Sequence, residues 1–173
     1  LGSLLVFVKV SKRLARSNLY LFLFTLDESS LVVVGRLAMH LLITGGFGFL
    51  GQQLARRILA HKNLAIPTPA VANAPKPLTQ LTLLDTAYPT EPLASNIETD
   101  ARVRVMIGDV TEPGVADELI DEPEMAIVHL ASMVSGDSEA DPERAWHVNV
   151  EGHRRLLEAV RHNAPGARFL FTS

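Results

Sequence analysis

The stretch "LLITGGFGFLG", residues 41–51, places four glycines between an apolar run and a helical pattern. The apolar run over 40–44 predicts a buried strand, and Leu50, Leu54 and Ile58 recur every four residues, which predicts an amphipathic helix over 50–61. A strand that enters a helix through Gly-x-x-Gly-x-x-Gly brings its backbone close to a ligand. Gly45 would form the tight turn, Gly48 would leave no side chain towards the ligand, and Gly51 would let helix and strand approach.

The expected ligand is a dinucleotide. Free N–H groups and the dipole at a helix start favour a pyrophosphate. Asp85 follows the next predicted strand, 81–84, where a carboxylate accepts hydrogen bonds from ribose hydroxyls, and Thr86 is not basic, which favours NAD over NADP. Asp85 lies further from Gly51 than the usual separation of about 20 residues, and the Pro-rich stretch 66–77 accounts for the excess. The alternatives are that the glycines only permit the turn and that Asp85 only forms one.

The rest of the chain alternates apolar runs with helical patterns, which is typical of a parallel sheet covered on both faces. We therefore predict an α/β fold, a Rossmann-type doubly wound parallel sheet that stops after its fifth strand. Irregular segments are expected over 66–77, 86–100 and 131–138. Further strands are predicted over 102–107, 125–130 and 168–172, a short helix with Val115 and Leu119 inward, and a long helix over 142–162 that buries Ala145, Val148, Gly152, Leu156 and Val160.

Composition excludes several function classes. A length of 173 residues suits one domain, and a net charge of −3 with mixed signs gives no nucleic-acid footprint. There is no Cys, and the 6 His lack metal-ligand spacing, so no metal is expected. The apolar runs within 1–38 are too short for a bilayer, which requires about 20 residues. We expect a cytoplasmic protein without a membrane or nucleic-acid partner.

Four motifs carry a family resemblance: "TGGFGFLG" (44–51), "GDV" (108–110), "HLAS" (129–132) and "NVEGHRRLLEA" (149–159). Together they resemble the extended short-chain dehydrogenase/reductase family, the NAD-dependent epimerases and dehydratases of carbohydrate metabolism. The resemblance covers residues 39–173 and implies NAD as the cofactor. Because Met39 stands where such a protein would begin, residues 1–38 are expected to be an extension foreign to the family, and 39–173 a C-terminally incomplete NAD-binding domain.

The resemblance also implies roles for individual residues. Asp109 would bond the adenine amino group while Val110 packs on the ring; Asp109 could equally, or at the same time, cap a helix at 112. Asn149 would support the active site by hydrogen bonding. The complete predicted cofactor set is Gly45, Gly48, Phe49, Leu50, Gly51, Asp85, Asp109, Val110, Leu130, Ala131, Ser132 and Asn149.

The segment "SMVSGDSEADPERAWHVNV" (132–150) bears on the substrate. Its compact start and the Pro-rich insertion resemble the subgroup that includes D-erythronate dehydrogenase, which implies oxidation of a hydroxyl on a small sugar acid. Ser135 and the Gly136 N–H would then hold the substrate; a flexible polar loop is the alternative. Two other functions stay open: a nucleotide-sugar epimerase or dehydratase, and a non-catalytic dinucleotide-binding sensor.

The family's chemistry uses a Tyr-x-x-x-Lys pair, in which Lys lowers the pKa of the tyrosine that takes the hydroxyl proton. Four residues after Tyr20 stands Phe24, and four after Tyr88 stands Pro92. The resemblance places the pair and the catalytic Ser after Ser173, so no catalytic residue is predicted in this chain. We expect these residues alone to be inactive and poorly stable, and a longer protein to act on a small molecule. A homodimer stays open as the assembly of that longer protein.

Overall fold

The computed structural model describes residues 23–25, 31–33, 39–61, 63–64, 76–123 and 125–172. The chain divides into two compact units, Leu1–Ala38 and Met39–Ser173. In the first unit β1 (Leu23–Thr25) pairs antiparallel with β2 (Leu31–Val33). The prediction that residues 1–38 are an extension foreign to the family falls mostly on residues outside the described part, and it stays a prediction.

The second unit is built on a parallel sheet, which confirms the predicted fold class. Its strands are β3 (Met39–Thr44), β4 (Asn63–Leu64), β5 (Lys76–Asp85), β6 (Val103–Ile107), β7 (Met125–His129) and β8 (Arg168–Phe171). The central strand β3 is flanked on one side by β5 and on the other by β7, and the order across the parallel strands is β6, β5, β3, β7, β8. The short β4 pairs antiparallel with the start of β5.

Helices cover the two faces of this sheet because the strands alternate apolar side chains between them. Leu41 and Ile43 belong to the core under the helix Phe49–Leu59 (α1). Leu42 belongs to the core on the other face, together with Leu156 of the helix His153–Asn163 (α6). None of the described helices is both long and apolar enough to cross a bilayer. The helices are α1 (Phe49–Leu59), α2 (Ser95–Glu98), α3 (Val115–Leu119), α4 (Ser135–Ala140), α5 (Pro142–Trp146), a π-helical turn (His147–Gly152) and α6 (His153–Asn163).

An arginine fixes the end of α1 to the start of β6. The Arg102 guanidinium donates to the carbonyl of Leu59 at 3.1 Å and to the Asp100 carboxylate at 2.7 Å. The hydrogen bond from Arg102 lowers the pKa of Asp100 to about 2. The last carbonyls of a helix have no intrahelical partner, so this contact satisfies one of them.

Three segments differ from the sequence prediction. The predicted loop 66–77 is wrong at its end, because β5 begins at Lys76 and includes Pro77, and proline is tolerated near the start of a strand; residues 66–75 lie outside the described part. The predicted irregular crossing 86–100 contains the single helical turn α2. The predicted loop 131–138 ends early, because α4 begins at Ser135.

The predicted long helix is present but is not uniform. Its first part, α5, begins at Pro142, and the side chain of Asp141 caps it by accepting the Arg144 N–H at 3.0 Å. The helix then passes through the π-helical turn. A period of 3.6 residues in the sequence does not distinguish a π-helical turn from an α-helical one. The predicted burial of Ala145, Gly152 and Leu156 is confirmed, whereas Val148 and Val160 are only half-buried.

Gly152 permits this helix to pack on the segment after β6. A Cβ at Gly152 would lie 2.8 Å from Cγ2 of Val110, a buried side chain. We predict that Gly152→Ala lowers the free energy of unfolding by about 1–2 kcal/mol, because overpacking outweighs the gain in helix propensity. Urea denaturation measures the change. Gly136→Ala is the control, since a Cβ there meets no described atom within 4 Å, and equal stability of the two variants would contradict the prediction.

Candidate functional site

The glycine turn between β3 and α1 is closed by direct backbone contacts. Gly45 has a φ of +67°, and a Cβ there would lie 2.8 Å from the Ala131 nitrogen. A Cβ at Gly51 would overlap the Gly45 carbonyl oxygen and lie 2.9 Å from the Gly46 Cα. Gly48 is exposed, and a Cβ there would lie 3.3 Å from the Gly45 carbonyl oxygen, which is a tight contact. The fold therefore requires Gly45 and Gly51, and Gly48 lies on the exposed side of the turn.

The amides at the start of α1, on the exposed side of the turn, have no side-chain cap. Gly48 is the N-cap residue, so no side chain at that position accepts from the first turn, and no acidic residue stands in the first turn. The first N–H groups of a helix lack intrahelical acceptors, and they carry the positive end of its dipole. Phe49 is 78% exposed and Leu50 58%, so the helix start is open on this side. This end of α1 is suited to an anion.

Asp85 lies at the edge of the turn. Its Oδ2 accepts the Phe47 N–H at 3.0 Å, and its Oδ1 accepts the Thr86 N–H at 2.8 Å. The Phe47 carbonyl in turn accepts from Gln52 Nε2 at 2.7 Å. These bonds join the end of β5 to the turn, so the predicted ribose carboxylate and the predicted phosphate-binding backbone do lie together.

An aromatic pair, which sequence reasoning missed, stands beside Asp85. The rings of Phe47 and Tyr88 are stacked, with centroids 5.9 Å apart and an interplanar angle of 13°. Phe47 is buried, whereas Tyr88 is 67% exposed. The signal in the sequence is only an aromatic residue three positions after Asp85.

Asp109 follows the end of β6, next to Asp85. The Gly108 N–H donates to the Asp85 carbonyl at 2.9 Å, and Asp109 Oδ1 accepts from both the backbone N–H and the hydroxyl of Thr111 at 2.8 Å. The alternative role of Asp109 as a cap for a helix at 112 is wrong: its carboxylate closes a local turn, and α3 begins later, after Gly114 with a φ of +85°. Val110 is buried among core residues, and the adenine contacts of both residues stay predictions.

The predicted segment Leu130–Ser132 is held at the end of β3 and by the long helix. The Leu130 N–H donates to the Thr44 carbonyl at 3.0 Å, and the Ala131 N–H donates to the Thr44 hydroxyl at 3.3 Å. Asn149 Oδ1 accepts the Met133 N–H at 2.8 Å, and its Nδ2 donates to the Met133 carbonyl at 3.0 Å. Asn149 thus holds the backbone of this segment, while the exposed Ser132 lies between these two attachments.

The predicted substrate residues lie in the first turn of α4, not in a flexible polar loop. Gly136 is exposed, and a Cβ there meets no described atom within 4 Å. The Ser138 hydroxyl donates to the Met133 carbonyl at 2.9 Å, which joins α4 to the segment that Asn149 holds. The contact of Ser135 and Gly136 with a substrate stays a prediction.

Thr44 and His129 form a buried hydrogen bond between neighbouring strand ends. Thr44 Oγ1 and His129 Nδ1 lie 2.6 Å apart, and both residues are buried. Burial, and to a lesser extent the nearby His153, lowers the pKa of His129 to about 4. The sequence places His129 at the end of an apolar run, but periodicity carries no information about its partner across the sheet.

This strand order, with a glycine turn beside the central strand and an acid at the end of the adjacent strand, defines a Rossmann-type dinucleotide-binding domain. The chain belongs to the NAD dependent epimerase/dehydratase family, whose pattern matches residues 41–173. The predicted family is therefore confirmed, and NAD is the cofactor of that family.

Individual relatives agree with this assignment. The chain is 43% identical over 135 residues to a D-erythronate dehydrogenase from Cupriavidus necator, and 38% identical over 135 residues to one from Haemophilus influenzae; each match covers 78% of this chain and 38% of the relative. It thus spans less than two fifths of the length of these relatives. Among solved structures, a nucleoside-diphosphate-sugar epimerase from Agrobacterium tumefaciens gives a TM-score of 0.61 at 28% identity, covering 79% of this chain and 37% of that chain.

The neutral state of His129 predicts a pH dependence of stability. Between pH 6.5 and about 4 the unfolded chain binds a proton at this residue that the folded chain does not, so stability falls as pH decreases through this window. Relative to the native chain, His129→Gln should reduce the slope of unfolding free energy against pH by about 1 kcal/mol per pH unit there. Urea denaturation at intervals across this range measures both slopes. An unchanged slope in His129→Gln would refute the assignment.

Proposed function

We propose that this chain is the NAD-binding part of a dehydrogenase that oxidises a hydroxyl group of a small sugar acid such as D-erythronate. The bond between the Asp85 carboxylate and the Phe47 amide carries the cofactor part of the proposal, because it joins the two elements that a dinucleotide needs. The identities of 43% and 38% to two D-erythronate dehydrogenases support the substrate part.

NAD fits the residues around the turn. The uncapped amides at the start of α1 suit the pyrophosphate, and the missing side chain at Gly48 leaves space for it. Asp85 would accept from the ribose hydroxyls, and its negative charge opposes the 2′-phosphate of NADP. Asp109 would bond the adenine amino group, and Leu130–Ser132 would lie along the cofactor on the opposite side of the turn.

Bound NAD supplies a hydride acceptor. This chain's own residues would bind and orient it, but they do not include the Tyr-x-x-x-Lys pair that would take the hydroxyl proton. Neither Tyr20 nor Tyr88 is followed by Lys after four residues. We therefore propose that these 173 residues bind NAD without turning substrate over, and that catalysis needs a tyrosine and a lysine from elsewhere.

The substrate side of the site is proposed to lie at the start of α4. Ser135 and the Gly136 N–H would hold a carboxylate or hydroxyl of the substrate, on a segment whose backbone is fixed by Asn149. A nucleotide-sugar substrate is the second candidate, since a nucleoside-diphosphate-sugar epimerase shares the fold at 28% identity. We favour the small acid because the identity to the D-erythronate dehydrogenases is higher.

Asp85→Asn tests cofactor binding. The variant keeps the side-chain shape but loses the charge that accepts from the ribose, so we expect the Kd for NAD to rise at least about 10-fold, or about 1.4 kcal/mol. Isothermal titration calorimetry measures it. Asp137→Asn removes a charge from an exposed position on α4 and is the matched control. Equal affinity of Asp85→Asn and the native chain would refute the proposed ribose contact.

The substrate class is tested on the protein that the gene encodes when it is read past residue 173. We expect a Tyr-x-x-x-Lys pair there and NADH formation with D-erythronate, followed by absorbance at 340 nm. Epimerisation or dehydration of a nucleotide sugar without net NADH would favour the second candidate. Cofactor binding without that pair would instead support a non-catalytic sensor.

A further inference from the structure

A short chain of hydrogen bonds joins the ends of β3 and β7 to the proposed cofactor segment Leu130–Ser132. The Ala131 N–H donates to the Thr44 hydroxyl oxygen at 3.3 Å, and that oxygen lies 2.6 Å from His129 Nδ1. Thr44 and His129 stand opposite each other in the strand register, and both are buried. The proposed function gives a role to Leu130–Ser132 but none to His129, whose ring ends this chain of bonds.

The direction of these bonds follows from the number of protons. A threonine hydroxyl has one proton to donate and two lone pairs that accept. The Ala131 N–H uses one lone pair, and within the described part of the chain the Thr44 hydroxyl has no other partner than His129 Nδ1. A proton on Nδ1 would therefore leave the buried hydroxyl proton without an acceptor, which is costly. Every group is paired when Nδ1 accepts, which places the imidazole proton on Nε2.

Aromatic neighbours hold the imidazole in this orientation. The ring centroid of His129 lies 5.2 Å from that of His153 on α6 and 6.1 Å from that of Phe169 on β8. Close-packed neighbours restrict the rotation of a buried ring, so Nδ1 stays directed at the Thr44 hydroxyl. Burial lowers the pKa of His129 to about 4, so at neutral pH Nδ1 keeps the lone pair that accepts this proton.

The Ala131 amide is confined because its segment packs directly on the glycine turn. A Cβ at Gly45 would lie 2.8 Å from the Ala131 nitrogen and 2.8 Å from the Leu130 carbonyl carbon. The Leu130 N–H donates to the Thr44 carbonyl at 3.0 Å. Two consecutive amides thus attach this segment to the end of β3, and the second attachment depends on the orientation of the Thr44 hydroxyl.

We infer that His129 is a positioning residue for the cofactor, an inference that rests on the proposed binding of NAD. Its neutral imidazole accepts the Thr44 hydroxyl proton, which leaves a lone pair of that oxygen for the Ala131 N–H. This bond holds Leu130–Ser132 against Gly45, on the side of the turn where the cofactor would lie. Positioning by such supporting hydrogen bonds preserves the geometry that a binding site needs.

Paired substitutions at Thr44 and His129 test the inference. Thr44→Val and His129→Leu keep the shape near Cγ but remove the hydroxyl or the acceptor. Each should raise the Kd for NAD at least about 5-fold, because a loosened segment must be ordered on binding. Thr44→Ser keeps a hydroxyl, and His129→Asn places an amide oxygen where Nδ1 lies, so both should stay within about 2-fold of the native Kd. Isothermal titration calorimetry measures these affinities.

Thr82 provides the control for lost stability. Its hydroxyl lies 2.9 Å from His40 Nε2, and both residues are buried, so Thr82→Val also removes a buried bond between threonine and histidine on neighbouring strands. This bond has no link to Leu130–Ser132. Thr82→Val should therefore lower the melting temperature as Thr44→Val does but keep the native Kd for NAD.

Hydrogen exchange of the Ala131 amide, followed by NMR without cofactor, gives a readout that does not depend on the proposed function. Exchange should be at least about 10-fold faster in Thr44→Val and His129→Leu than in Thr82→Val. Equal exchange in these variants, or equal NAD affinity of Thr44→Val and Thr44→Ser, would overturn the role of His129 while NAD binding by the native chain stands. Absence of NAD binding by the native chain would refute the proposed function, and the cofactor role of His129 with it.

Discussion

The close approach of Gly51 to the backbone of Gly45 and Gly46 is the contact on which the rest of the site depends. No side chain fits between these segments, so α1 begins directly above the end of β3. The same turn brings Phe47 to the Asp85 carboxylate, so one steric constraint positions both the backbone proposed to bind phosphate and the acid proposed to bind ribose.

The other side of the site depends on a few polar contacts between elements that are distant in sequence. The strand order reverses at β3, so the segments after β3 and β7 follow neighbouring strand ends. Thr44 joins these two segments through its bonds to Leu130, Ala131 and His129. Asn149 then holds Met133 from the long helix. Small residues in this segment therefore have a fixed backbone even though their side chains contribute little packing.

The sequence predicts those features that repeat locally or follow a known turn chemistry. Strand β3, helix α1 and the glycine turn have strong patterns, and all lie where expected. Pro77 predicts a loop, whereas β5 begins at Lys76 because its first residues pair with Asn63, Leu64 and Met39. The Thr44–His129 bond was not predictable, because it joins residues that only the strand register brings together.

The two amide bonds to Asp85 bear on attempts to change the preferred coenzyme. Replacing this acid with a basic residue would remove the charge that opposes an added phosphate group. It would also leave the Phe47 amide without its carboxylate acceptor, in the part of the backbone that is proposed to bind the pyrophosphate. A redesign towards NADP would therefore need a substitute acceptor for that amide, because a basic side chain at position 85 cannot accept its hydrogen bond.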